Sequence, residues 1–91
     1  MFDSLRRLRF EDRAAHKIDA WIRDWICPVE KYYIGVFDTH EDVTHNLKCT
    51  ARIVTENEEL SDMLFLCSEV TDGSIILEVF SRWDSEITRF K

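Results

Sequence analysis

Ninety-one residues, 45% apolar and 12% aromatic with only two glycines and one proline, provide one hydrophobic core and argue against intrinsic disorder. The formal charge of −6 is unevenly spread: residues 1–37 carry +1, residues 38–86 carry −9, and Arg89 with Lys91 return +2, so nonspecific binding of nucleic acid by the whole surface is disfavoured. The longest apolar run, Met63 to Cys67, is far short of the roughly 20 residues of a membrane span, the start lacks the apolar stretch of a secretory signal, and three cysteines make no disulfide framework, so we expect a single soluble, cytoplasmic domain over residues 1–91.

From Asp3 to about Ile26 the pattern is that of an amphipathic helix, with Leu8, Ala15 and Ile22 at seven-residue spacing and Ile18 and Trp25 between them. Asp3 or Ser4 supplies a cap, and Cys27 before Pro28 supplies a stop. Glu11 interrupts the stripe and predicts a break near Phe10 to Asp12, while Trp21 and Trp25 are expected to anchor the helix on the core. Beyond Pro28 the period becomes two. Lys31 to Phe37 reads as a strand, with Tyr32, Ile34 and Val36 on one side and Tyr33, Gly35 and Phe37 on the other. DTHEDVTHN reads as a polar connection, and the stretch that follows as a strand turning Leu47, Cys49, Ala51 and Ile53 inward.

Asp72-Gly73 is the strongest local signal, because a two-residue type I′ turn needs positive φ at both positions. That turn would oppose Val70 to Ile75, Ser68 to Leu77 and Leu66 to Val79 beneath the helix. The other face would then present Met63 with Arg82 and Phe65 with Phe80. Trp83, Ile87 and Phe90 are spaced to fold a C-terminal element back over this second face. The predicted fold class is therefore α+β: an N-terminal amphipathic helix on a four-stranded antiparallel sheet, followed by a short C-terminal helix or strand.

The chemistry-bearing residues form no strong motif. Asp38, His40, Glu41, Asp42, His45 and Cys49 lie within twelve residues, but a lone His-x4-His followed by an inward-facing Cys is weak as a zinc set, so no cofactor or metal is assigned. No nucleophile elbow, phosphate loop or paired-cysteine motif occurs, and the chain is read as non-enzymatic. Arg6, Arg7, Arg9 and Arg13 give the helix a basic side, with Lys17 further along and Phe10 placed to stack on a base or wedge into an interface, which suits nucleic acid or an acidic protein surface. Glu56, Glu58 and Glu59, with Asp62, Glu69, Asp72, Asp84 and Glu86, form an acidic rim of the kind that imitates a nucleic-acid backbone.

These features predict a small acidic protein-binding module, an inhibitor or regulator that covers part of a partner and rests as a homodimer. Met63, Phe65, Phe80 and Arg82, together with Glu56, Glu58 and Glu59, form the expected contact surface. A nucleic-acid-processing enzyme is one partner such an acidic body suits, and by size and charge alone the chain is comparable to the inhibitors that phages and mobile elements encode. The alternative is a nucleic-acid-binding regulator working through Arg6, Arg7, Arg9 and Arg13.

Overall fold

In the computed structural model, which describes residues 4–25, 31–81 and 88–90, the chain forms helix α1 (Ser4–Trp25), strands β1 (Tyr32–Glu41) and β2 (Leu47–Thr55), a single helical turn α2 (Glu58–Ser61), and strands β3 (Met63–Glu69), β4 (Ile75–Ser81) and β5 (Thr88–Phe90). The strands lie in chain order, each antiparallel to the next, with α1 packed on one face. This is the expected α+β arrangement, and the C-terminal element is a fifth strand. Asp3, the Cys27-Pro28 stop, Arg82, Trp83, Asp84, Glu86 and Ile87 lie outside the described residues.

Helix α1 is continuous through the expected break. Its buried stripe is Phe10, Ala14, Ile18, Trp21 and Ile22, whereas Leu8 is 59% and Trp25 38% exposed. The heptad reading of the stripe was rotated because a straight helix turns every 3.6 residues and drifts by about 20° per heptad from a strict seven-residue repeat. Phe10, read as part of the basic side, is an anchor of the core. Glu11 needs no break in the helix, because it is half-buried and accepts a hydrogen bond from the Thr39 hydroxyl of β1. Trp21 meets Phe65 edge-on at 5.5 Å between ring centroids and stacks with Trp25 at 5.6 Å, so of the two tryptophans only Trp21 is a core anchor.

Strand β2 alternates as expected, with Leu47, Cys49, Ala51 and Ile53 buried. Strand β1 does not. Its register on β2 shifts between the Ile34–Ile53 and Phe37–Ala51 pairs, so one extra residue bulges out and Phe37 packs on the core beside Tyr32 and Ile34. A Cβ at Gly35 would stand 3.0 Å from the Arg52 carbonyl, which is why the bulge holds a glycine. The strand also continues through Asp38 to Glu41, a stretch read as loop from its polarity. Thr39 and Glu41 pair with the inward-facing Cys49 and Leu47, and α1 supplies their partners in Glu11 and Arg6.

The β1–β2 and β3–β4 hairpins have three-residue loops of one design. Asp42 N donates to the Asn46 carbonyl at 2.9 Å and His45 N to the Asp42 carbonyl at 3.0 Å; Val70 N donates to the Ser74 carbonyl at 3.0 Å and Gly73 N to the Val70 carbonyl at 2.8 Å. The third loop residue adopts positive φ in each case, 66° at His45 and 88° at Gly73. Asp72-Gly73 thus marks the reversal, but only Gly73 takes positive φ: the loop is a type I turn closed by a left-handed residue, one residue longer than the type I′ turn expected.

That extra residue shifts the β3–β4 alignment by one position. The observed pairs are Phe65–Val79, Leu64–Phe80, Cys67–Leu77 and Met63–Ser81. Since side chains alternate with a period of two, the shift exchanges the faces of one strand against the other. Met63 and Phe65, expected on the second face, are 2% and 0% exposed and belong to the core beneath α1 with Cys67, Ile75, Leu77 and Val79. Phe80 stays on the second face, where its cross-strand neighbour is Leu64.

Candidate protein-binding face

The core cluster contains the buried residues of both described helices, α1 and α2, so neither lies over the opposite side of the sheet. Three cross-strand rows build that side: Arg52–Leu64–Phe80, Thr50–Leu66–Glu78 and Lys48–Ser68–Ile76. Leu66 sits diagonally between Phe80 and Ile76, within the reach of diagonal neighbours on one sheet face. Leu64, Leu66, Ile76 and Phe80 are each half-buried by these neighbours and form an oblique apolar band. At one end of the sheet Tyr33 and Val54, paired across β1 and β2, are 65% and 46% exposed. Lys48 and Arg52 on β2 flank one side of the band and Glu78 on β4 lies on the other. Leu64 and Leu66 were detectable from alternation alone once the loop length was correct, and Ile76 falls on this face in either register.

The acidic residues divide by environment. Glu56, Glu58 and Glu59 are exposed around α2, whose start is capped by the Asn57 side chain accepting from Leu60 N at 2.9 Å. Glu58 and Glu59 occupy the first helical turn. Glu69 is not part of an open rim, because its Oε1 accepts from Arg6 Nη2 at 2.8 Å and from Leu47 N at 3.1 Å. Asp42 and Asp72 hold the two hairpin loops through their carboxylates, and hydrogen bonds from Thr44 and Ser74, respectively, lower their pKa values. At the other end of α1, the Tyr32 hydroxyl donates to Asp19 at 2.6 Å; burial, together with the neighbouring carboxylate, pushes its pKa up to about 12.

The basic helix face is partly committed to the fold. Arg6 donates to Glu41 at 3.1 Å, to the His45 carbonyl at 2.8 Å and to Glu69 at 2.8 Å, tying the start of α1 to both hairpins. Arg13 donates to the Gly73 carbonyl at 2.6 Å. Arg7 and Arg9 are exposed. The four arginines thus do not form one open cationic track. His40 and Cys49 lie on opposite faces of the sheet, since His40 pairs with the outward Lys48 and Cys49 is buried under α1. Among the described residues no three His, Cys, Asp or Glu side chains converge to hold a metal, and no helix is long and apolar enough to cross a membrane.

Comparison with protein-family models, with curated proteins and with solved structures returns no match.

Proposed function

We propose that this chain is a non-enzymatic protein-binding module that acts by covering the surface of a partner with the sheet face opposite α1, and that it self-associates through the same face when alone. The supporting observation is the band of Leu64, Leu66, Ile76 and Phe80 on the face that neither described helix covers. A two-layer fold buries one side of its sheet, and an antiparallel sheet that keeps its second side wet ordinarily alternates to polar residues there. Here the second side keeps an apolar centre with charges at its margin, the composition of a protein interface.

Charge placement favours a second copy as the resting occupant. With the two-fold axis running along β3, the β2 strand of one copy lies over β4 of the other, so Lys48 and Arg52 approach Glu78 while Leu64 and Leu66 meet their own counterparts. The acidic residues Glu56, Glu58 and Glu59 suit a partner with a basic surface, including an enzyme that handles nucleic acid, and inhibition by occlusion requires no catalytic group. Replacing Leu66 by Glu inserts a charge at the centre of the band. Sedimentation equilibrium should change from dimer to monomer while circular dichroism and thermal unfolding stay close to wild type. A wild-type chain that remains monomeric at high concentration, or a Leu66→Glu chain that still dimerises, overturns the assignment.

A further inference from the structure

Cys49 and Cys67 are direct cross-strand partners on β2 and β3, and both are buried with 0% exposure beneath α1. The two hairpins fix the kind of pair they form. In an antiparallel ladder, hydrogen-bonded and non-bonded pairs alternate. Counting from the bonded Asp42–Asn46 pair, Thr39–Cys49 is non-bonded, so the backbone groups of Cys49 point toward β3. Counting from Val70 and Ser74, Cys67–Leu77 is likewise non-bonded, so the backbone groups of Cys67 point toward β2. The two counts agree that Cys49 and Cys67 form a wide, hydrogen-bonded pair, with Cα atoms about 5.5 Å apart. That separation lies inside the window of roughly 4.4–6.8 Å that a disulfide spans. Both side chains share the core face, and no other residue stands between the two positions.

We propose that Cys49 and Cys67 are an oxidation site: a vicinal dithiol that closes to a cross-strand disulfide with hydrogen peroxide as the oxidant. The Cys49 thiolate attacks one peroxide oxygen, the O–O bond breaks, and Cys49 becomes a sulfenic acid as hydroxide leaves. The Cys67 sulfur then attacks the Cys49 sulfur, its proton neutralising the departing hydroxide. Two thiols and one peroxide yield one disulfide and two waters. The pairing puts each sulfur beside the other: Cys67 lowers the pKa of Cys49, whereas that of Cys67 is pushed up by Cys49 and by burial, which casts Cys49 as the first nucleophile and Cys67 as the resolving thiol. Peroxide is small enough to enter by local opening of the α1 layer, without global unfolding.

The test uses the full chain with Cys27→Ser, so that only these two thiols remain. Native protein treated with peroxide should lose two hydrogen atoms in intact mass, lose both titratable thiols, stay a single chain on a non-reducing gel, and yield a Cys49–Cys67 cross-linked peptide that a dithiol reductant reverses. A Cys67→Ala chain removes the resolving thiol without adding a buried polar group, and should gain oxygen atoms instead. Circular dichroism before and after treatment confirms that the reaction occurred in folded protein. Addition of oxygen without disulfide when both thiols are present, a disulfide that forms only in denaturant, or oxidation confined to intermolecular cross-links each overturns the proposal.

Discussion

The matched hairpins allow a reciprocal test of the fold. Gly73 and His45 occupy the same left-handed position in two loops closed by the same pair of hydrogen bonds, at φ values of 88° and 66°. A side chain at such a position costs about 1–2 kcal/mol, because Cβ crowds the following carbonyl. Glycine removes that cost but adds roughly 0.5–1 kcal/mol of backbone entropy to the unfolded chain. His45→Gly should therefore stabilise the protein by about 0.5–1 kcal/mol, a rise in Tm of roughly 2–8 °C for a domain of this size. The side chain that is lost is 86% exposed and its contact with the Glu41 carboxylate, at 3.9 Å, is long, so its removal takes little away. Gly73→Ala should do the opposite. A Cβ there meets nothing within 4 Å, so backbone strain less the recovered unfolded-state entropy is the whole effect, about 0.5–1 kcal/mol of lost stability. Urea unfolding and differential scanning calorimetry read both variants. A His45→Gly chain less stable than wild type, or a Gly73→Ala chain that loses nothing, would refute the loop geometry and the strand register derived from it.

Phe65→Ala should cost about 3–5 kcal/mol in chemical denaturation, since the ring is fully buried against Trp21; a loss under about 1 kcal/mol would return Phe65 to the open face. Tyr32 gives a pH signature. Its folded pKa is raised from 10.0 to about 12, so the stability it contributes is complete below pH 10 and fades between about pH 10 and 12 as the phenolate becomes accessible. Ultraviolet titration should show one tyrosine ionising late, and Tyr32→Phe should flatten the loss of stability across that window; an unchanged slope contradicts the raised pKa of Tyr32.

The order of elements was legible in the sequence because each strand of the sheet's centre alternates cleanly: Leu47 to Ile53 identified the buried side of β2 without reference to any neighbour. Phe65 was misplaced for a narrow reason. Asp-Gly is compatible with both a two-residue I′ loop and a three-residue loop ending in glycine, and the two differ by one position in alignment, enough to exchange Phe65 with Leu64 and Leu66. The equivalent loop at residues 43–45 was invisible because histidine, not glycine, holds its left-handed position. Thr39, Glu41 and Glu11 could not be placed from pattern either. Each is polar and turned toward the core side, and its partner lies 28 to 35 residues away. Exposure of Leu8 and burial of Phe10 depended on the rotation of a helix whose contacts all lie elsewhere in the chain.

The bulge in β1 has a consequence for behaviour in crowded solution. A ten-residue border strand is a long row of hydrogen-bonding groups on which a foreign extended segment could dock and grow. The extra residue between Ile34 and Phe37 bends that row into two short, differently directed stretches, and Asp38 and His40 add polar side chains along the second. An incoming strand cannot follow both stretches at once, so the longer rim of the sheet is a poor template for fibrous addition.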